Sequence, residues 1–354
     1  MSESLEAIKS AVRNLKAYSL SPHRASIKLN QNENPWDVTP AIKAETLRRL
    51  ENRKWSRYPD FISTGLHARL AEFATWTDDG VIAGNGSNEL IQALLMVTIS
   101  ERKRVLIAEP TFALYRQVTT VLGGRVVSVP LSSEFKFDVE TLLKVTEISN
   151  IDVVILCSPN NPTGCVITDE DLRRLLRVAP GLVVIDEAYH EFAEHSVVPL
   201  LKEFKNLVVL RTFSKAMGLA GLRVGYLLAA PELVTEIRKA VLPYNLNAIS
   251  QTAAEVSVEL YEAELLPIVK KLISERDRLF NEIGAIEAFV PVRSFANFMI
   301  IKTKILPKTI FNELIQRDIL IRDVSSYPML SEYFRVSVGT PEENDRLIAA
   351  LREL

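Results

Sequence analysis

Short runs of branched apolar residues alternate along this chain of 354 residues with stretches whose apolar positions recur at helical spacing. The runs have the length of strands and include RVLIAE (104–109), VVIL (153–156), LVVI (182–185) and LVVL (207–210). The spacing between them predicts helices over 65–75, from about 87, over 113–122 and over 169–178. Unbroken Val, Ile and Leu runs are typical of strands buried on both faces. The pattern therefore predicts an α/β fold with a mostly parallel sheet between helices.

The pattern changes toward both ends of the chain. After residue 240, one long helical stretch over 251–284 and then short strand and helix patterns predict a smaller α+β domain. Near the start, the Asn- and Pro-rich stretch IKLNQNENPWDVTP predicts irregular structure that crosses a surface or covers a cleft. We therefore divide the chain into an N-terminal arm with a segment that contributes to the small domain and to the cover of the site (1–45), a large ligand-binding domain (46–240) and a small C-terminal domain (241–354).

Charge and composition exclude several classes of function. Lys and Arg number 42 against 44 Asp and Glu, and without a long basic run we expect no nucleic-acid partner. The apolar runs are far shorter than the roughly 20 residues of a membrane span, and the charged N-terminus does not resemble a secretory signal, so we expect a cytoplasmic protein. Two cysteines, Cys157 and Cys165, are too few for a disulfide framework or a four-ligand zinc site, and we expect no metal.

Polar side chains follow the apolar runs, at the edge where parallel sheets bind ligands. In TFSKAMGLAGLRVGY, Lys215 comes directly after a strand. Partial burial there would lower the pKa of the amine and make it able to form a Schiff base with an aldehyde. Ser214 and Arg223 have the hydroxyl and the guanidinium that suit a phosphate. A solvated strand end is the alternative interpretation of this lysine.

Two other strand ends carry groups that fit the same ligand. Asp186 ends the run LVVID, where an unpaired carboxylate would be costly. It could keep the ring nitrogen of pyridoxal phosphate protonated, so that the ring accepts electrons, or it could form a helix cap or a salt bridge. Asn161 in CSPNNPTG and Tyr189 in IDEAY could donate hydrogen bonds to a phenolate-like oxygen, and Tyr189 could help to set the pKa of the Schiff base.

The stretch AGNGSNELIQALL opens a helix, and backbone N–H groups of its first turn, around Ser87 and Asn88, could bind a phosphate. A Gly-x-Gly motif after an apolar stretch also suggests the dinucleotide site of an NAD-dependent oxidoreductase. Glu89 occupies the place of the third glycine, where helix and strand must approach closely. Hydride transfer is therefore the disfavoured hypothesis.

An aromatic ring and two arginines complete the candidates. Phe112 in EPTF could stack on a planar cofactor or pack in the core. Arg322 in LIRDV and Arg335 in YFRVSVG could hold an anionic substrate end through paired hydrogen bonds, although exposed arginines are common on strands.

Taken in order, RYPD, GNGSNEL, EPTF, CSPNNPTG, IDEAY, TFSKAMGLAGLRVGY and FRVSVGT resemble the fold-type-I aminotransferases. NLKAY and LNQNENP make the chain similar to the histidinol-phosphate aminotransferase family in particular, over nearly its whole length. The resemblance implies a fold-type-I pyridoxal-phosphate-dependent transferase with a seven-stranded, mostly parallel sheet. It also implies a homodimer that performs reversible transamination between L-histidinol phosphate and 2-oxoglutarate, giving imidazole acetol phosphate and L-glutamate in histidine biosynthesis.

By position, the resemblance implies that Lys215 binds the cofactor covalently, that Asp186 pairs with the pyridine nitrogen, and that Asn161 and Tyr189 contact the ring oxygen. Phe112 would stack on the ring. The implied contacts to the cofactor phosphate are Ser87, Asn88, Ser214, Arg223 and, from the partner subunit, Tyr58. The implied contacts to the substrate are Tyr18, Asn161, Arg322 and Arg335.

Two positions depart from the family pattern, because Phe112 stands where Tyr is common and Asn88 where Asp is common. A phenyl ring still stacks and Asn still caps a helix, so cofactor binding is not affected. An aromatic amino acid aminotransferase or a threonine-phosphate decarboxylase-like enzyme could share the same residues around the ring. The arginines Arg322 and Arg335 would distinguish these alternatives.

Overall fold

The fold is described from a computed structural model, in which residues 3–17 and 22–354 are placed. The largest sheet contains β2 (Val81–Gly84), β3 (Arg104–Glu109), β4 (Arg125–Pro130), β5 (Val153–Cys157), β6 (Leu182–Asp186), β7 (Leu207–Thr212) and β8 (Gly225–Ala229). These seven strands lie in the order β2-β8-β7-β6-β5-β3-β4. Strands β3 to β7 run parallel to one another, whereas β8 is antiparallel to both β2 and β7. The predicted seven-stranded, mostly parallel sheet is confirmed.

Helices cover both faces of this sheet. They are α3 (Pro40–Leu50), α4 (Thr64–Ala74), α5 (Ser87–Thr98), α6 (Leu114–Leu122), α7 (Val139–Ile148), α8 (Asp169–Val178), α9 (His190–Ala193), α10 (Pro231–Arg238) and α11 (Ala248–Glu259). Residues of β5, β6 and β7 alternate between two apolar clusters, one on each face, because their side chains point to opposite sides at every step. Thr168 caps α8 by accepting a hydrogen bond from Asp171 N, which places the start of that helix where the sequence predicts it.

A second sheet forms the smaller part of the fold. It contains β9 (Phe289–Pro291), β10 (Phe298–Thr303), β12 (Arg322–Asp323) and β13 (Tyr333–Ser337), in the antiparallel order β12-β13-β10-β9. A third apolar cluster joins it to α12 (Leu266–Gly284), α13 (Pro307–Gln316) and α14 (Pro341–Arg352). Strand β1 (Ile27–Lys28) pairs with β11 (Ile319–Leu320), so the N-terminal segment is attached to this smaller part.

Three features differ from the sequence-based expectations. The start of the chain has a helical pattern of apolar and charged residues, whereas the structure forms two separate single turns there, α1 (Glu3–Glu6) and α2 (Ser10–Arg13). The helical stretch over 251–284 is interrupted by a π-helical turn at Tyr261–Leu265, because Pro267 has no N–H for a helical hydrogen bond and is tolerated only in a first turn. The division at 45/46 falls inside α3, and α11 packs on α3 and α4 although it lies beyond residue 240.

No helix among residues 3–17 and 22–354 combines the length and the apolar character needed to cross a bilayer.

Candidate active site

The carboxyl ends of β5, β6 and β7 open into a cavity of about 350 Å³, at the sheet edge where the polar residues were predicted. Eleven of the predicted site residues line it: Ser87, Asn88, Phe112, Asn161, Asp186, Tyr189, Ser214, Lys215, Arg223, Arg322 and Arg335. Two others are not in it. Tyr58 is 80% exposed, with its ring stacked on that of Tyr244. Tyr18 lies outside the described residues.

A larger and more open depression of about 640 Å³ lies elsewhere, next to Phe73, His190 and Lys202. It contains none of the predicted site residues. We therefore regard the smaller cavity as the candidate active site, because the predicted site residues meet there and include Lys215 and Asp186, whose pKa values are shifted.

Lys215 follows β7 and extends into the cavity. Its Nζ donates a hydrogen bond to the carbonyl oxygen of Gln31 at 2.9 Å and lies 5.8 Å from the ring centroid of Tyr189. Desolvation by the surrounding protein, with Arg335 as the next contribution, lowers the pKa of this amine to about 8. A substantial fraction of the side chain is therefore a neutral, nucleophilic amine at mildly alkaline pH.

Asp186 is buried at the end of β6. Its Oδ2 accepts a hydrogen bond from the hydroxyl of Tyr115 at 2.7 Å, and its Oδ1 accepts one from Ala188 N at 3.1 Å. Burial raises the pKa of this carboxyl to about 6, and the hydrogen bond from Tyr115 opposes that rise. At neutral pH the cavity floor therefore holds a carboxylate that favours a cationic partner.

Tyr189 is buried beside the same floor, with its ring edge on Phe298. Its hydroxyl oxygen accepts hydrogen bonds from Asn32 Nδ2 at 3.1 Å and from Asn161 Nδ2 at 3.3 Å. Burial raises the pKa of Tyr189 far above neutrality, so the hydroxyl keeps its proton. Phe112 is placed at the cavity wall, where its ring meets that of Tyr115 edge to face.

One end of the cavity is built to hold an anion. The N-terminus of α5 begins at Ser87, directly after Gly86, whose φ of 78° lies in the left-handed region. A Cβ at Gly86 would lie 2.6 Å from Nη2 of Arg223, so glycine is needed for the guanidinium to approach the helix end. Arg223 also donates to Ser214 Oγ at 3.1 Å. Backbone N–H groups, a hydroxyl and a guanidinium thus converge on one point.

A pair of arginines from the small sheet lines the same cavity. Arg322 of β12 is the direct cross-strand partner of Arg335 of β13, so both side chains leave the same face of the small sheet. Arg335 donates to Asn161 Oδ1 at 2.6 Å and to Asn30 O at 2.8 Å. Two like charges placed opposite each other destabilise a sheet unless a bound anion neutralises them. Such a pair is therefore typical of an anion-binding site.

Sequence reasoning missed several residues of the cavity. Tyr115, which bonds to Asp186, lies in the first turn of α6, and Phe112 precedes that helix, with the two rings meeting edge to face. Residues 30–32, in the segment predicted to cross a surface or cover a cleft, line the cavity, although none of them was named as a site residue. Tyr327, close to Arg322, is also in the wall. The Asn-rich composition of LNQNENP was the one available indication of a polar site segment.

The arrangement can bind a flat molecule with an acidic group at one end. The cavity combines a nucleophilic amine, a buried carboxylate that favours a cation, a hydroxyl donor and an aromatic wall. In the described part of the chain, no group of three or more His, Cys, Asp or Glu side chains is placed to hold a metal ion.

Comparison with known proteins agrees with this chemistry. The model of the family described as aminotransferase class I and II matches residues 24–351. A histidinol-phosphate aminotransferase from Chlorobium phaeovibrioides is 37% identical over 343 residues, which cover 96% of this chain and 95% of that protein. Another from Chlorobium phaeobacteroides is 37% identical over 351 residues, covering 99% of this chain and 97% of that protein.

The fold also matches solved structures. The crystal structure of histidinol-phosphate aminotransferase from Sinorhizobium meliloti, in complex with pyridoxal-5'-phosphate, has a TM-score of 0.88 at 24% identity. The match covers 98% of this chain and 96% of that chain. Because the family model spans most of the chain, and relatives above one-third identity align over nearly all of it, this chain belongs to the class I and II aminotransferases and is a pyridoxal-phosphate-dependent transaminase.

Proposed function

We propose that the chain is a histidinol-phosphate aminotransferase. It would exchange the amino group between L-histidinol phosphate and 2-oxoglutarate, reversibly, as a step of histidine biosynthesis in the cytoplasm. The names of the relatives at 37% identity over nearly the full length support this assignment. Family membership excludes the alternative hypothesis of a dinucleotide-dependent hydride transfer.

The cross-strand pair Arg322 and Arg335 is the observation that carries the substrate assignment. A cofactor phosphate beside Arg223 needs one anion site, and this pair provides a second one in the same cavity. A substrate with its own phosphate satisfies both arginines, because a phosphate offers three oxygens to paired guanidinium donors. Tyr18 would add a hydroxyl from the N-terminal segment.

The residues present fit pyridoxal phosphate. The space that Gly86 leaves for Arg223 at the N-terminus of α5 suits a phosphate, since a methyl group there would displace the guanidinium. Ser87, Asn88 and Ser214 would complete the contacts to that phosphate. Asp186 would pair with the protonated pyridine nitrogen, a partner that also relieves the cost of burying its carboxylate.

The bound cofactor supplies a ring that withdraws electrons from the substrate α-carbon. Lys215 would hold the cofactor covalently, and after displacement by the substrate amine its free Nζ would move the proton of the α-carbon. The pKa of about 8 suits this task, because the amine both accepts and returns a proton near neutral pH. Asn161 and Tyr189 would donate hydrogen bonds to the ring oxygen, and Phe112 would stack on the ring and exclude water.

A homodimer would complete the site, with the partner subunit's Tyr58 reaching the cofactor phosphate. Large apolar side chains are exposed around this position, with Trp55 78%, Tyr58 80%, Phe61 61% and Leu242 72% accessible. A cluster of this kind is typical of a protein–protein interface. Sedimentation at micromolar concentration should give a dimer, and Trp55→Glu with Leu242→Glu should give a monomer that binds the cofactor more weakly.

Single-turnover measurements test the substrate. The holoenzyme is mixed in turn with histidinol phosphate, glutamate, phenylalanine and threonine phosphate, and loss of the visible cofactor band is followed. We expect rapid loss with histidinol phosphate and glutamate. Arg322→Gln should weaken use of histidinol phosphate roughly 10- to 100-fold, the value of a charged hydrogen bond, and leave phenylalanine nearly unaffected.

Arg317→Gln, which changes an arginine of the small domain that pairs with Glu313, serves as the matched control and should have no effect. Equal losses with histidinol phosphate and phenylalanine in Arg322→Gln would instead favour an aromatic amino acid aminotransferase. Release of CO₂ from threonine phosphate would indicate the decarboxylase alternative.

A further inference from the structure

The hydroxyl of Tyr189 has both of its acceptor positions occupied. A phenolic hydroxyl has one proton and two lone pairs. Asn32 Nδ2 donates to the oxygen at 3.1 Å and Asn161 Nδ2 donates to it at 3.3 Å. With both lone pairs engaged, the hydroxyl proton is left to point away from the two amides, into the cavity.

The direction of the Tyr189 proton depends on the orientation of the two amide groups, and a neighbouring residue fixes the orientation of each amide. Asn161 Oδ1 accepts from Arg335 Nη1 at 2.6 Å. A guanidinium only donates, so the oxygen of that amide must face Arg335 and the NH₂ group must face Tyr189. The orientation of the Asn161 amide is therefore set by the substrate arginine.

The amide of Asn32 is fixed in a different way, by Ser337 of β13. Ser337 Oγ accepts from the backbone N–H of Asn32 at 2.9 Å and donates to Asn32 Oδ1 at 3.1 Å. If the amide turned over, its NH₂ group would face Ser337, and the serine proton would lose this acceptor. The Asn32 oxygen would then accept the proton of Tyr189, and that proton would no longer reach the cavity.

Asn32 is held for this role by its backbone. It is buried, with a φ of 56° in the left-handed region that asparagine tolerates better than most residues. Its carbonyl oxygen accepts from Asn297 Nδ2 at 3.1 Å. Ser337 lies two positions after Arg335 on the same strand, so the two side chains share a face of β13.

We propose that Ser337 and Asn32 are positioning residues that aim the hydroxyl proton of Tyr189 at the ring oxygen of the bound cofactor. The proposal rests on the proposed function, which places that oxygen in front of Tyr189. Neither residue touches the reacting atoms. Ser337 orients the Asn32 amide and Arg335 orients the Asn161 amide, so both amides would donate to Tyr189 and leave its proton for the ligand.

The effect can be measured on the cofactor itself. A hydrogen bond donated to the ring oxygen stabilises the more negative, high-pH form of the bound cofactor, so losing it raises the pKa of the visible absorbance transition. The charged or titratable groups that face Tyr189 from neighbouring elements are Lys215, Arg335, Asp186 and Cys157. Lys215 would hold the cofactor whose transition is measured, and the other three groups stay in place in each variant, so their influence cancels in the comparison.

The experiment is a pH titration of the absorbance of four holoenzymes: wild type, Ser337→Ala, Tyr189→Phe and the double variant. Ser337→Ala removes one small hydroxyl and allows the Asn32 amide to turn. We expect it to raise the transition pKa by roughly one unit and Tyr189→Phe to raise it by one to two units. The double variant should show no rise beyond that of Tyr189→Phe, because Ser337 acts through Tyr189.

Two further variants separate positioning from general damage. Ser337 pairs with Phe298 at the start of β10, and Thr303 lies at the other end of that strand. Thr303→Val removes a buried hydroxyl that accepts a hydrogen bond from Ile305 N at 3.0 Å, and it should leave the transition pKa unchanged. Asn32→Asp keeps the shape but offers only acceptors. It should raise the transition pKa more when Tyr189 is present than in Tyr189→Phe, where only its charge acts.

Three outcomes would overturn the proposal: an unchanged transition pKa in Ser337→Ala while Tyr189→Phe raises it, equal shifts of Asn32→Asp in both backgrounds, or a Ser337→Ala shift that persists in Tyr189→Phe. In each case the cofactor band is present and the proposed function stands. Absence of the band from the wild-type protein would instead contradict the proposed function.

Discussion

The hydrogen bond from Tyr115 to Asp186 gives a prediction that needs no cofactor. Burial alone disfavours the ionised carboxylate, and the 2.7 Å bond from Tyr115 stabilises it. Tyr115→Phe removes the hydroxyl with almost no change in volume, at a position that is fully buried. We expect the pKa of Asp186 to rise further from its value of about 6, because the largest influence that opposes burial is then lost.

The expected size follows from linkage. The folded-state pKa of Asp186 lies above its ordinary value of 3.8, so the folded protein binds more protons and loses stability as pH rises through about 6. Above that pH, the shifted pKa lowers the free energy of unfolding by about 3 kcal/mol. A bond to an ionised group is worth about 1.5–3 kcal/mol and one to a neutral group about 1 kcal/mol. Tyr115→Phe should therefore lower the free energy of unfolding by about 1 kcal/mol at pH 5, where Asp186 is mostly neutral, and by about 2–3 kcal/mol at pH 8, where it is ionised.

Urea unfolding of the cofactor-free protein at pH 5 and pH 8 measures the difference. Tyr261→Phe is the matched control, because Tyr261 is buried, and its hydroxyl makes no hydrogen bond to Asp186. Its cost should be the same at both pH values. If Tyr115→Phe also costs the same at both, the hydroxyl does not stabilise the ionised form of Asp186, and the account of the cavity floor is wrong.

Three more predictions concern other groups. Gly86→Ala should weaken cofactor binding about tenfold, because the new Cβ would lie 2.6 Å from Arg223 Nη2 at a position with a left-handed φ. Gly221→Ala is the control and should not weaken binding, because its new Cβ would meet nothing within 4 Å. Equilibrium dialysis against the cofactor measures both variants. Acylation of Lys215 in the cofactor-free protein, followed by mass spectrometry, should reach half its maximal rate near pH 8, and a midpoint above pH 9.5 would contradict its lowered pKa. His67 Nε2 accepts a hydrogen bond from Ala83 N at 3.1 Å, and burial lowers the pKa of His67 from 6.5 to about 4. The free energy of unfolding should therefore fall as pH drops through that range. In urea unfolding, His67→Gln should lose up to about 3 kcal/mol less of this free energy than the wild type between pH 7 and pH 4.

The parallel core of the fold was predictable because each buried strand has its own apolar run. RVLIAE coincides with β3 to the residue. The edge strand β2 was not predicted as a strand, since its four residues, VIAG, are too short to show a period. The antiparallel direction of β8 was equally inaccessible, because direction depends on the path of the connection and not on the residues of the strand.

The candidate site was predictable where a residue follows a strand, as Asp186 and Lys215 do. Contacts between distant parts of the chain were not. The cross-strand pairing of Arg322 with Arg335 depends on the register of the small sheet, and the bond from Tyr115 to Asp186 depends on how α6 packs on β6. Asn32 was part of a quoted motif, yet nothing local to it indicates that it meets Tyr189.

Asn32 and Ser337 stand 305 positions apart in the chain. During translation, Asn32 cannot meet Ser337 until the chain between them has left the ribosome. Contacts of such long range form late in folding. The hydroxyl of Tyr189 should therefore acquire its final orientation only after β13 has been synthesised and paired.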